Sequence, residues 1–555
     1  MLGVSLLIGL YYGVYKGGQN TVTEYLLGNK QMSLFPVTMS LISSQISGVT
    51  LLGVPTEIYT YGSQYAAVIL SNILVALVTL VIFLPVFYKL QLLSLFEYLE
   101  LRFSKSVRVV ASLLYVVSTI LFIPVVIYGP ALAVNQVTGL DIHLVTPIVC
   151  SVCIVYTTMG GLKAVVWTDA VQGVTMVFAV LAVVILGVIR AGGITAIFQK
   201  ASEGDRLEFF NMDPDPKLRL TFWSSAFGMI VPWSTGISVG PAAYQRFNSL
   251  PSLKQAKVAL FWLTVGIYML LVPSLFLGLV IYAMYKDCDP LSSKAISRPD
   301  QIVPYFVLDV TENIKGLPAI FVVGVCSAAL STMSTGLNTM AGTIYEDFIE
   351  PCLKKKLSDE KASSILKILA VIIGAVCVSL VFMVEKLGAI IQISNSFGGV
   401  TAGAILGIFT LGVLIPPANA KGALVGGIAG LCATSFMIVG SQLSLTKELI
   451  KYPMKTVSTM GCTGNVTRLI INETEIIFEE GVWPIHRISL FNLGLVGFAI
   501  VLIVGITVSY ITGPTTLGLL NPDLVSPLVH CFLPKKDYKP VQLKDVSING
   551  NNVKK

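Results

Sequence analysis

Charge is what this sequence has least of. Only 12% of its 555 residues are Asp, Glu, Lys or Arg, about half the share of a typical soluble domain. Histidine is nearly absent: His143, His486 and His530 stand far apart, so no His-based metal spacing and no His-centred catalytic group is on offer. No span carries paired carboxylates and no nucleophile motif occurs, which removes support for a membrane enzyme or an organic cofactor. The nine cysteines are scattered. Five of them, Cys150, Cys153, Cys326, Cys377 and Cys432, sit in apolar spans, where cysteine packs as a small hydrophobe. The apolar run at 1–15 lacks a basic start and an A-x-A site, so it reads as a shortened first membrane helix and not as a signal peptide.

What fills the chain instead is hydrophobic length. Apolar residues make up 54% of it, the mean hydropathy is +0.81, and runs of about 18 residues or more recur from end to end. The expectation is an all-α polytopic membrane protein. After the run at 1–15, spans fall near 34–59, 64–89, 107–135, 144–159, 164–190, 221–245, 258–285, 317–346, 364–384, 387–415, 422–440 and 489–512, about thirteen in all. The net charge of +7 is then loop charge facing anionic lipid, with no nucleic acid implied. Alternate loops carry Arg102 with Lys105, Arg246 with Lys254 and Lys257, Lys354 to Lys356, Lys421, and Lys535 with Lys536. Such loops belong inside. The opposite set includes the loop at 441–488, where Asn465 and Asn472 head two glycosylation sequons. Both signs place the N-terminus outside and the C-terminus in the cytoplasm of a plasma-membrane protein. Cys288 and Cys462 share the outer, oxidising side, open either to a disulfide or to two free thiols. The tail at 513–555 turns polar and aperiodic from Asn521, as expected of a cytoplasmic extension without a fold of its own.

Two spans are interrupted. The first contains Ser40, Ser43, Ser44, Gln45, Ser47, Gly48, Thr50 and Gly53 amid apolar neighbours. A helix is broken in hydrocarbon only where protein or a cavity covers the break, and the freed carbonyls can face a cation. The second, at 221–245, holds Pro232, Gly236, Gly240 and Pro241, with the break expected at 232–241. It opens five spans after the first, the spacing of an inverted repeat: one half at 34–190, the other at 221–415. The spans at 416–512 would be accessory. Ala328, Ser331, Thr332 and Thr335 recur at i, i+3, i+4 and i+7, an oxygen face that serves either as helix glue or as ion ligands. Asp169 is a carboxylate deep in a span, functional by default, with Lys163 on the same helix as a salt-bridge alternative.

These residues, together with the runs at 24–29 (EYLLGN), 51–59 (LLGVPTEIY), 96–103 (FEYLELRF), 128–139 (YGPALAVNQVTG), 160–169 (GGLKAVVWTD), 398–403 (GGVTAG) and 417–422 (PANAKG), carry a resemblance over nearly the whole chain. It resembles the sodium/solute symporter family, in its monocarboxylate and multivitamin transporter branch. The resemblance implies a LeuT-like core of five plus five helices with two discontinuous helices. It implies a Na⁺ site from the carbonyls of Ser43, Ile46 and Ala328 and the hydroxyls of Ser331 and Thr332. A second Na⁺, held by some members, would fall on Ser44, Asp169, Ser334 and Thr335. The solute would lie between the broken helices, with Gln45, Thr50, Gln64, Tyr128, Trp233, Ser234 and Ser238 as candidates. No intramembrane arginine pair presents itself, so half-helix N-termini are the expected anion holders. The run 238–244 departs from the polar pattern of that branch. The reading is a Na⁺-coupled importer of a small organic anion such as lactate, pyruvate or a short-chain fatty acid. The alternatives are biotin, pantothenate or iodide on the same scaffold, or a Na⁺-regulated sensor or leak protein without coupled uptake.

Overall fold

The computed structural model describes residues 1–16, 21–312, 314, 316–353, 355, 357–384, 390–463, 467–471, 477–478 and 481–534. The chain is built almost wholly of helices. Among the described residues nine are long and apolar enough to cross a membrane, and the bent pair Leu34–Gln45 with Val49–Tyr61, at 53°, makes ten. The expected thirteen would also need the short helix Leu2–Tyr15, a division of Ile142–Arg190 and the second broken helix, which lie outside those ten. Ile142–Arg190 does divide: Gly161 at φ 52°, ψ −151° interrupts it, a left-handed position that favours glycine.

Helix α1 (Leu34–Gln45) ends where Ile46 turns extended at φ −98°, ψ 109° and its amide donates to the Ile42 carbonyl at 3.1 Å. Ser47 restarts the chain. Its hydroxyl accepts from the Val49 amide at 3.2 Å, and its carbonyl accepts from the Thr50 and Leu51 amides. Gly48 lies so close to Pro130 that a Cβ there would stand 3.1 Å from the ring. Helix α2 (Val54–Tyr61) follows, with Pro55 in its first turn, where a missing N–H costs nothing. Helix α3 is Ile142–Arg190.

In the second interrupted span, helix α4 (Ile230–Ile237) stops, Gly240 is extended at φ −82°, ψ 126°, and helix α5 (Pro241–Ser249) starts on Pro241. The break thus falls on 238–240, inside the expected 232–241, while Pro232 is accommodated in the first turn of α4. Helices α6 (Leu317–Ile344) and α7 (Ile390–Leu414) complete the surroundings of the two breaks. The breaks meet: Gln45 Nε2 donates to the Gly236 carbonyl at 3.5 Å.

On one face, Cys288 and Cys462 form a disulfide. That face is termed the disulfide face below. The connection after Ala420–Thr446 folds over it, with short antiparallel pairings of Ile450–Lys451 with Ile477–Phe478 and of Val457–Ser458 with Ile470–Ile471. Arg206, fully buried, fastens that connection by donating to the carbonyls of Tyr59, Gly204, Lys455 and Thr456. Both sequons, Asn465 and Asn472, lie outside the described residues.

One expectation needs correction on the opposite face. The start of the tail is packed. Short 3₁₀ turns at Pro522–Leu524 and Pro527–Phe532 dock against the helix ends. Tyr98 donates to the Leu524 carbonyl at 2.8 Å, the Ser526 amide donates to the Val413 carbonyl at 2.9 Å, and Lys89 pairs with Asp523 at 2.6 Å. Leu524 and Val525 are buried there. Their polar neighbours hid an apolar set too short to show a period.

Candidate ion and solute site

The oxygen face of α6 turns toward the break in α1. Ser331 Oγ donates to Ser43 Oγ at 3.1 Å, and Thr332 Oγ1 donates to the Ala328 carbonyl at 3.0 Å. Ser43, Ile46, Ala328 and Ser331 are wholly buried and Thr332 is nearly so. Because the helical ladder stops at Ile46, the carbonyls of Ser43 and Ile46 accept no backbone amide among the described residues. Buried carbonyls without a partner are costly, and neutral carbonyl and hydroxyl oxygens are the kind of ligand a hard cation accepts. Among the described residues no group of three His, Cys, Asp or Glu side chains could hold a metal ion.

The residues considered for a second ion have different hydrogen-bond partners. Ser334 bonds back to the Ser331 carbonyl and Ser44 to the Leu41 carbonyl, both at 3.1 Å. Asp169 and Thr335 instead surround Arg246. Asp169 Oδ2 accepts from Ser40 Oγ at 2.5 Å, from Arg246 Nη2 at 3.0 Å and from Thr335 Oγ1 at 3.5 Å. Arg246 also donates to Ser40 Oγ, to Thr335 Oγ1 and to the Ala242 carbonyl. Both side chains of the pair are fully buried. Two points of the sequence reading change here. Lys163, the alternative partner for Asp169, is not its partner. Six residues along a helix put it on another face, and it pairs with Glu24 at 2.6 Å. Arg246 is not a loop charge, because α5 runs on to Ser249 and carries it inside.

A cavity of about 330 Å³ opens between the two breaks. Of the solute candidates, Gln45, Thr50 and Trp233 line it. Gln64, Tyr128, Ser234 and Ser238 do not. Gln64 donates to Glu208 at 2.8 Å, Tyr128 accepts from Arg298 at 2.6 Å, and Ser238 bonds Thr79 at 2.7 Å. Ser234 is buried, and its hydroxyl has no partner among the described residues. Thr332 and Ser44 line the same cavity, so the ion residues and the solute residues share a wall. Ser394, Asn395 and Thr401 of α7 line it too, and sequence reasoning missed them. Asn395 Nδ2 has no partner among the described residues. The available signal was the polar cluster of Gln392, Ser394, Asn395 and Ser396 at the start of an otherwise apolar helix. No lining side chain carries a formal charge. Gly240, Pro241 and Ala242, the N-terminus of α5, close one side, and Tyr65, Leu490 and Phe491 cover the disulfide face.

A model described as the sodium:solute symporter family matches residues 25–430. The chain belongs to that family. Human sodium-coupled monocarboxylate transporter 1 is 39% identical over 92% of this chain and 86% of its own length. Bovine sodium-coupled monocarboxylate transporter 2 is 37% identical over 95% and 86%, and the human sodium/iodide cotransporter 36% over 95% and 84%. Among solved structures, a substrate-bound outward-open Na⁺-coupled sialic acid symporter superposes with a TM-score of 0.73 at 22% identity, covering 92% of this chain and 96% of that one. A closed nucleobase-cation-symport-1 transporter gives 0.53 at 12%, covering 91% and 98%. The symporter fold, of the LeuT type with two discontinuous helices, is therefore shared by this chain. In this symporter-family chain the break of α1 and the oxygen face of α6 both border the cavity.

Proposed function

We propose that this protein is a Na⁺-coupled symporter that imports a small monocarboxylate, such as lactate, pyruvate or a short-chain fatty acid, by alternating access. One observation carries the reading: Thr332 belongs both to the buried oxygen set and to the wall of the uncharged cavity that Gln45 and Thr50 also line. Na⁺ drawn to the carbonyls of Ser43 and Ile46 holds the break in one shape, and that shape sets where Gln45 and Thr50 stand. Ion and solute each favour the conformation the other needs, which is coupling. The carboxylate rests on neutral donors, Gln45, Thr50 and Asn395, helped by the N-terminus of α5. Cavities for drug-sized ligands begin at about 300 Å³, so this volume has room for a small acid. The disulfide face is the outer one, on the plasma membrane, with the N-terminus outside and the C-terminus inside. Asp169 is neutralised by Arg246, so a second Na⁺ there would add an uncompensated charge. We assign one Na⁺ to the first site.

Oocytes expressing the protein test this. Saturable, Na⁺-dependent uptake of labelled pyruvate or lactate, lost in the Ser331→Ala, Thr332→Ala double variant at equal surface amount, is the expected result. Na⁺ currents without solute would point to the leak reading. Uptake confined to iodide, biotin or pantothenate would reassign the solute, as the likeness to the sodium/iodide cotransporter allows. Na⁺ dependence unchanged in the double variant would refute the ion site.

A further inference from the structure

Arg246 of α5 bridges the two helices that supply the ion site. It is fully buried and engages all three of its nitrogens. Nε donates to Ser40 Oγ on α1 at 2.7 Å, and Nη2 donates to Thr335 Oγ1 on α6 at 2.5 Å. Nη2 also pairs with Asp169 Oδ2 on α3 at 3.0 Å, and Nη1 donates to the Ala242 carbonyl of its own helix at 3.1 Å. Ser40 in turn donates to Asp169 Oδ2 at 2.5 Å, which closes a ring of three side chains. The two hydroxyls gripped by Arg246 stand in register with the ion residues. Ser40 lies three residues before Ser43, and Thr335 lies four after Ser331 and three after Thr332. Residues three and four apart share a helix face. Arg246 therefore joins α1 to α6 on the faces that carry the oxygens, one turn away from them.

We infer that Arg246 is the positioning residue of the ion site: it fixes the spacing between the carbonyl side of α1 and the hydroxyl side of α6, and so sets how tightly Na⁺ binds. The inference rests on the reading of those oxygens as a Na⁺ site. A hard cation needs its oxygens within a narrow range of distances, and it binds more tightly when they do not have to be gathered first. The two helices also share the bond from Ser331 to Ser43, but that bond joins two neutral hydroxyls. Bonds from a guanidinium are about twice as strong. A planar guanidinium also reaches Ser40 and Thr335 in fixed directions, which an ammonium on a flexible stem does not reproduce. A bare positive charge one turn from the oxygens would repel the ion. Asp169 cancels that charge, so the bridge can stand close to the site.

Two variants change the contacts and keep the net charge of the pair. Arg246→Lys retains the cation and loses the fork. Asp169→Asn combined with Arg246→Gln removes both charges together. Binding of radiolabelled Na⁺ to the detergent-purified protein, with choline as the replacing cation, gives the half-saturating concentration without any need for transport. Thermal unfolding of the same samples gives the stability. Half-saturating Na⁺ should rise about tenfold in both variants, the factor that one hydrogen bond to a charged group supplies. The double variant separates positioning from support of the fold: its stability recovers relative to either single variant, while its Na⁺ binding stays weak. Unchanged half-saturation in both variants, or Na⁺ binding that recovers together with stability, overturns the assignment. Should neither variant yield folded protein, Ser40→Ala, which frees α1 from the bridge and keeps the ion pair, carries the same expectation, and unchanged Na⁺ binding there is equally fatal. A parent protein without saturable Na⁺ binding would overturn the ion site itself, whereas parent binding with unaltered variants overturns only the role of Arg246.

Discussion

Replacing Asp169 by Asn should cost about 3–5 kcal/mol of stability, the usual consequence of breaking a buried ion pair from one side. The magnitude follows from the surroundings. Asp169 and Arg246 are both fully buried, and Oδ2 of Asp169 collects the Ser40, Arg246 and Thr335 donors. An Asn amide oxygen still accepts from Ser40, so the geometry survives. The charge does not, and Arg246 keeps a full positive charge with only hydroxyl and carbonyl oxygens around it. Thermal unfolding of the detergent-solubilised protein, followed by the recovery of monodisperse material, measures the loss. The decisive arm is Asp169→Asn combined with Arg246→Gln. With both charges gone, only the hydrogen-bond differences remain, about 1 kcal/mol each, so the double variant should be clearly more stable than either single one. If Asp169→Asn alone costs less than about 1 kcal/mol, or if the double variant is no better than the singles, Arg246 is not the charge that Asp169 serves. A loss of Na⁺ affinity with stability intact would return the carboxylate to an ion-binding role.

Asn395→Leu keeps the cavity filled and removes its unpartnered donor; the KM for pyruvate should rise about tenfold or more, by one lost hydrogen bond, with the Na⁺ half-activation unchanged at saturating solute. Asp300 tests pH. It lies outside the spans, is 3% exposed, and accepts from the Ile390 amide at the start of α7 at 3.0 Å. Burial pushes its carboxyl up to about 6, against the Ile390 amide and Arg298, which pull it down. A raised acid contributes stability that is full below its ordinary value near 3.8 and is lost as pH rises through about 6. Asp300→Asn keeps the acceptor and should flatten the fall in thermal stability between pH 4 and 7, a difference of about 3 kcal/mol; parallel pH profiles for parent and variant would refute this. Gly48→Val should lower stability by about 1–3 kcal/mol through overpacking against Pro130, read by the same unfolding assay, and a neutral result would show that the break can shift away.

The oxygen face of α6 was legible because it is local: Ala328, Ser331 and Thr332 recur within two turns of one helix, so spacing puts them together. Ser43 and Ile46 came forward as ion ligands only through the resemblance to the family, since spacing does not tell a ligand from helix glue. The solute site was legible only in part. Gln45, Thr50 and Trp233 reach the cavity, but Gln64 and Tyr128 find partners in Glu208 and Arg298. Which way a polar side chain near a break turns depends on donors elsewhere in the chain. Asn395 was overlooked because polar side chains clustered in a membrane helix resemble ordinary helix glue.

By itself the sequence determined the membrane class, the two interruptions, the oxygen face of α6 and the cysteines that share a side. All are set by composition or by short periodic spacing, which the bilayer enforces by penalising every unsatisfied polar group. The tertiary structure alone decided who partners whom. It set Arg246 against Asp169, 77 positions away, gave Lys163 to Glu24, placed Arg219 on Glu57, and docked the start of the tail onto Tyr98 and Val413. Those choices depend on three-dimensional proximity, where a buried charge takes whichever opposite charge the packed helices bring within reach, and no repeat along the chain encodes that distance.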